Sequence, residues 1–199
     1  MEALALARLL SSRICHDLIS PVGAIGNGME LLRASGGDGG REELELISDC
    51  ADSASAALRL MRLAFGARPA DDTLSTDELE KAIDAHYARR RVDLDWSAAP
   101  KALPAAAAQP LLWLAMTAIG AAPRGGRATL AKCGVAPLDL AWRLEGDGGS
   151  SETSRALFVT RPNFAEAAPG DAHIILLWVV AEAMGAAPYW TDDGLIGVG

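Results

Sequence analysis

The sequence predicts an α+β protein, with an N-terminal helical hairpin followed by a two-layer α/β sandwich. Three observations carry this reading. Two segments repeat apolar or small residues at alternating three- and four-residue steps, the spacing of helices packed along a shallow-angle seam. The stretch Ser35-Gly-Gly-Asp-Gly-Gly40 separates them, and no helix would include it. Beyond a breaker cluster at Arg68-Pro-Ala-Asp-Asp72, helical and strand patterns alternate. The expected division is therefore a hairpin domain over 1–68 and a sandwich over 69–199.

The first helix, over about residues 2–34, carries Leu4, Ala7, Ser11, Ile14, Leu18, Pro21, Ile25, Gly28 and Leu32 on one seam. The second, over about 41–66, carries Leu44, Ile47, Ala51, Ala54, Leu58, Met61 and Phe65. A short linker between two such helices makes them antiparallel neighbours. Leu10, Ile19, Val22, Met29, Leu31, Leu46 and Leu60 lie off the seam and need another partner. Two hairpins pairing into a four-helix bundle would cover them, so the sequence predicts a homodimer.

In the second half, Ser75-Thr-Asp-Glu78 reads as a capping box opening a helix to about Arg90. Val92, Leu94 and Trp96 alternate with charged residues as in a half-buried strand. Pro110 suits the first turn of an apolar helix reaching about Ala121. Strands are expected near Arg127–Cys133 and Leu138–Leu144, with a further one at Ala156–Thr160. A buried helix over about Ala172–Met184 meets Gly185 as its stop, before a terminal hairpin at Asp192-Asp193-Gly194. Trp113, Trp142 and Trp178 fall in apolar periods and are assigned to the core.

Composition excludes several function classes. With 18 basic against 26 acidic side chains, the net charge of −8 argues against a nucleic-acid partner, which needs a basic surface for counterion release. The longest apolar run, Ile174 to Ala181, falls short of the ~18 residues of a membrane span. Glu2, Arg8 and Arg13 interrupt the N-terminal stretch, unlike an export signal. Cys15, Cys50 and Cys133 lack metal-ligand spacing, and an odd count suits a reducing compartment. A cytoplasmic protein without a membrane partner is expected.

His16 is the residue with chemistry to offer. It lies two residues from both Ile14 and Leu18, about 200° round the helix from each, and so faces away from the seam. Ser12, Arg13, Asp17, Ser20, Gly23, Ala24 and Asn27 share its face, and these small or polar residues leave the imidazole accessible to something large. Asp17 can orient or accept a proton and make the ring a better nucleophile. Pro21, five residues on, removes a helical hydrogen bond and bends the helix beside a docking surface. The other candidates receive plainer readings. His86 is expected at a solvated helix end, His173 in a capping or surface role, and Cys15 as a small packing residue.

The string His16-Asp-Leu-Ile-Ser-Pro21 looks like the H-box of histidine kinases. Extended to Leu32, it resembles more closely the ChpT-type histidine phosphotransferases of alphaproteobacteria. The resemblance implies a dimeric four-helix bundle and a lobe like a degenerate histidine-kinase ATP-binding domain. It implies that His16 takes a phosphoryl group from one receiver domain's aspartate and passes it to another's, with Asp17 assisting. By the same resemblance Ser12, Arg13, Ser20, Gly23, Ala24 and Asn27 form the surface that meets the receiver. A hybrid-kinase receiver upstream and cell-cycle response regulators downstream are the implied partners.

Leu111 to Gly126 is similar in pattern to the N-box helix of kinases, but the two expected asparagines fall on Trp113 and Thr117. Where a kinase carries a glycine-rich phosphate loop, this chain has Pro169-Gly-Asp-Ala-His-Ile-Ile175, with one glycine. Asp147-Gly-Gly149 resembles the adenine-binding box, yet is equally an ordinary turn. The expectation is a phosphotransferase without ATP, its Mg²⁺ supplied by the partner receiver because no acidic cluster lies near His16. A kinase with a divergent ATP lobe and a receiver-binding adaptor that moves no phosphate are the competing readings.

Overall fold

In a computed structural model the two heptad segments are helices, α1 (Glu2–Ala34) and α2 (Arg41–Phe65). The structure describes residues 2–34, 40–69, 71–134, 138–145, 152–164 and 166–199. The greater part of the linker and the Asp147-Gly-Gly149 segment lie outside them. The helices pack closely because Gly28 lets them: a Cβ there would come within 2.7 Å of Ile47 Cγ1. Helix α1 runs unbroken through Pro21.

The rest of the chain forms β1 (Thr73–Ser75), α3 (Thr76–Tyr87), β2 (Val92–Asp95), β3 (Ala102–Pro104) and α4 (Ala105–Ala121). It continues with β4 (Gly126–Gly134), β5 (Asp139–Glu145), α5 (Glu152–Val159), α6 (Ala172–Ala183), β6 (Pro188–Trp190) and β7 (Leu195–Val198). Five strands make one mixed sheet in the order β2-β4-β5-β7-β6, parallel at β2–β4 and antiparallel elsewhere. This is the α+β architecture that the alternating patterns predict.

Helix α4 organises the core. It is apolar on every side, and Leu111, Leu112, Leu114 and Ala115 are fully buried. One side meets β4, β5 and β7, while α2, α3 and α6 cover the others. Leu60, Leu63 and Ala64 of α2 belong to the same apolar cluster as α4, so the lower half of the hairpin is packed into the sheet unit, and Leu60, expected to face a second hairpin, is covered within the chain itself. Trp142 packs edge-on against Trp96, and its Nε1 donates to the Leu111 carbonyl at 3.4 Å. Trp113 and Trp142 are core residues, whereas Trp178 is half-buried against the core.

Several local expectations are corrected. Helix α4 starts at Ala105, so Pro110 lies inside it. The carbonyl that loses its proline partner belongs to Ala106, an exposed residue in the first turn, where water can satisfy it. Ser75 stands at the N-cap of α3 without a side-chain capping bond. Its neighbour Thr76 anchors the helix start instead, its Oγ1 donating to the Pro100 carbonyl and its N–H to that of Lys101. Helix α3 ends at Tyr87 rather than Arg90. Ala156–Val159 of the strand expected at Ala156–Thr160 belong to α5, whose Phe158 packs edge-on against Trp190 while Arg155 pairs with Asp192. A short apolar run fits either period, and here the i, i+3 face found partners. The two-stranded sheet β1–β3 was not expected, since three-residue strands are too short to show alternation. Gly185, at φ 71°, follows α6 as the left-handed residue that ends it. No helix among the described residues is long and apolar enough to cross a membrane.

Candidate functional site

His16 stands on the outer face of α1 with 73% of its side chain exposed, while its neighbour Asp17 is only 10% exposed. The contrast defines the site: an accessible imidazole backed by a carboxylate withdrawn from water. His16 Nδ1 lies 3.0 Å from Asp17 Oδ1. An ionised carboxylate only accepts hydrogen bonds, so this contact favours the form of a neutral ring with its hydrogen on Nδ1 and the lone pair on Nε2.

The other oxygen of Asp17 is fully engaged. Arg13 Nε, one helical turn earlier, donates to Oδ2 at 2.8 Å. His86 Nε2, from the end of α3, lies 3.9 Å from the same oxygen. Arg13 then reaches across to the 3₁₀ turn Pro169–Asp171 that precedes α6, and Nη1 donates to the Gly170 carbonyl at 2.7 Å. The guanidinium therefore joins the carboxylate behind His16 to the far end of the chain.

Burial shapes the surrounding titrations. It lowers the His86 imidazole below its ordinary range, with the Arg13 charge helping and Asp17 opposing. It raises the Tyr87 phenol and the Asp171 carboxyl, and Arg13 opposes both shifts. His173, in the first turn of α6, is the extreme case. Its side chain lies in the interior, its Nδ1 has no hydrogen-bond partner, and burial, helped by the Arg13 charge, drives its pKa down to about 3.

Of the residues expected around His16, Ser12, Ser20, Gly23 and Asn27 are exposed and Ala24 is half-buried. At Gly23 nothing lies within 4 Å of where a Cβ would stand, so the ground beside His16 is open. Arg13 is a correction. Its side chain is 11% exposed and committed to Asp17 and Gly170, so it does not line the free surface. The plainer readings of two histidines also fail. His86 is turned toward Asp17 rather than solvent, and His173 is a core residue. Cys15, assigned to packing, is exposed. Sequence reasoning missed His86 and Gly170 as neighbours of the site, because long-range folding brings them there. The one local signal was the Arg13–Asp17 spacing of four residues.

The positions similar to a nucleotide-binding helix are occupied by packing. Trp113 Nε1 donates to the Ala64 carbonyl at 2.8 Å, and Thr117 Oγ1 donates to the Trp113 carbonyl at 2.9 Å. Both side chains are buried. Among the described residues no three His, Cys, Asp or Glu side chains gather as a metal site would need.

A solved bacterial phosphotransferase aligns over 100% of this chain and 97% of its own, with a TM-score of 0.77 at 28% identity. Protein phosphotransferase ChpT of Brucella abortus (strain 2308) is 39% identical over 147 residues, 73% of this chain. The chain spans less than two thirds of that relative's length, 64%. The class is thus that of the bacterial phosphotransferases. The model of the histidine phosphotransferase C-terminal domain matches residues 76–194. The chain belongs to the ChpT-type histidine phosphotransferase family.

The buried His173 gives a pH dependence of stability with a definite sign. Its folded-state pKa lies below the ordinary value of 6.5, so the unfolded chain takes up a proton first as the pH falls. Stability that this group leaves intact above 6.5 is lost progressively toward pH 3. From pH 7 to pH 5 the loss from this single group should be about 2 kcal/mol. Urea unfolding of the protein and of His173→Leu at both pH values measures it. The variant should lose that much less over the interval, and an identical loss would contradict the assignment.

Proposed function

We propose that this chain relays phosphoryl groups between receiver domains through His16. The carrying observation is the exposed imidazole whose Nδ1 lies 3.0 Å from the carboxylate of the nearly buried Asp17. Nε2 attacks the phosphorus of a receiver's aspartyl phosphate in line. The N–P bond forms as the P–O bond breaks, and the receiver's carboxylate leaves as an anion that needs no proton. The phosphorylated ring keeps its Nδ1 proton, and Asp17 Oδ1 balances the positive charge it acquires. Delivery to a second receiver runs the same step in reverse.

The receiver supplies the Mg²⁺ and most of the electrostatic stabilisation. Ser12, Ser20, Gly23, Ala24 and Asn27 form the surface on which it docks, with small side chains that let its active site approach the ring. A hybrid-kinase receiver as donor and cell-cycle response regulators as acceptors fit this role, as does a cytoplasmic location. ATP is not a substrate in this reading, and the buried Trp113 and Thr117 support that, since neither side chain is free to hold a nucleotide or its metal. The C-terminal lobe is then a degenerate form of a kinase ATP-binding domain that serves as a scaffold.

The functional unit is a homodimer built on the hairpin. Val22 and Met29 on α1, expected off the seam, and Leu44 and Leu58 on α2, expected on the seam between the two helices, are large apolar side chains left exposed. Pairing two hairpins into a four-helix bundle would cover both stripes. Leu58→Glu together with Val22→Glu should turn a dimer into a folded monomer in sedimentation. A wild-type protein that is monomeric at micromolar concentration would contradict this.

Removing the nucleophile tests the relay. His16→Ala should abolish passage of labelled phosphate from one receiver to another, a loss of at least about 10³-fold. Helicity should be unchanged, because the side chain is exposed. Undiminished relay by the variant would sink the proposal. Label incorporated from ATP alone would favour the kinase, and binding without transfer by the wild type would favour the adaptor.

A further inference from the structure

We infer that Arg13 is a positioning residue for phosphoryl transfer, setting the tautomer and orientation of His16 through Asp17 from an anchor on the C-terminal lobe. The inference rests on the reading of His16 as the nucleophile and deepens it. Three distances carry it: Arg13 Nε to Asp17 Oδ2 at 2.8 Å, Arg13 Nη1 to the Gly170 carbonyl at 2.7 Å, and Asp17 Oδ1 to His16 Nδ1 at 3.0 Å.

A carboxylate on a helix surface can rotate and offer either oxygen to solvent or to a neighbour. Here the rotation is stopped. Arg13 holds Oδ2 from one turn below, and its own fork is held by a backbone carbonyl 157 residues away in sequence. Oδ1 is thereby left facing His16. The result is a fixed donor–acceptor pair that keeps the hydrogen on Nδ1 and directs the lone pair of Nε2 outward.

Charge points the same way. Burial keeps His86 below its ordinary pKa, so at neutral pH it brings Asp17 no positive charge. Among the described partners of Asp17, Arg13 is the one with a permanent charge. Lysine could supply that charge, but not two donors in a fixed fork to a carboxylate and a carbonyl at once. Because Arg13 is nearly buried, its removal should alter the chemical step and leave receiver docking alone.

The test uses the full chain, its Arg13→Lys and Arg13→Gln variants, and two phosphoryl donors, a phosphorylated receiver domain and the small molecule phosphoramidate. Both variants should load His16 about 10²-fold more slowly from either donor, with an unchanged KM for the receiver. ¹⁵N chemical shifts of the His16 ring should report the Nδ1–H form in the wild type and a mixture of tautomers in the variants. A raised receiver KM with unchanged kcat would make Arg13 a docking contact and overturn the inference. So would a wild-type ring that populates Nε2–H, a measurement that stands even if the variants fail to fold. If neither donor labels wild-type His16, the relay reading itself fails, whereas the tautomer comparison still judges Arg13 separately.

Discussion

The site depends on one carboxylate taken out of water. Asp17 sits on the same helix as an exposed histidine, yet it is almost buried, with Arg13 and His86 of α3 against one of its oxygens. A carboxylate so placed must be compensated, and Arg13 does this from the same helix while Gly170 fixes the guanidinium. The geometry at His16 follows from that arrangement. One oxygen is consumed below and the other is left for Nδ1. The chemistry of the helix surface is thus set by contacts made on its inner side.

The same contacts explain why the hairpin and the sheet unit belong together. Leu60, Leu63 and Ala64 of α2 share a core with α4, and Leu9 of α1 shares a smaller one with Phe164, Ala172 and Ile175. Arg13 lies just beyond that second cluster, so apolar packing delivers α6 to the place where its preceding turn can meet the guanidinium. In an isolated hairpin Asp17 would lose its neighbour His86, and Arg13 the Gly170 carbonyl that holds it. The residues similar to a nucleotide-binding helix serve this union too, since Trp113 bonds to the Ala64 carbonyl of α2.

Much of this was legible in the sequence, and the reasons differ by element. The hairpin could be read because a 3.5-residue period sustained over many turns admits one packing geometry. Strand β2 could be read from the alternation of Val92, Leu94 and Trp96 with charged residues, and α6 from an apolar run ended by Gly185. His16 could be read because seam and chemistry separate on the helical wheel, and the string to Leu32 resembles a known family. Other features could not be read, for physical reasons. The start of α4 was misplaced because proline marks a first turn only on average, and an exposed Ala106 tolerates it five residues in. Helix α5 looked like a strand because the four apolar residues Ala156–Val159 carry no decisive period. The burial of Arg13, the turn of His86 toward Asp17 and the interior place of His173 all depend on contacts with elements far along the chain from α1, such as α3 (Thr76–Tyr87) and the turn Pro169–Asp171. A one-dimensional pattern carries no sign of such neighbours.

The central claim is that Nε2 of His16 carries the phosphoryl group, and it can be observed directly. The ¹⁵N-labelled protein, loaded from a phosphorylated receiver, should show an acid-labile phosphorus signal coupled to one imidazole nitrogen. That nitrogen should be Nε2 of His16, with the hydrogen on Nδ1 retained. A phosphorus coupled to Nδ1, or carried by any other side chain, would contradict the account.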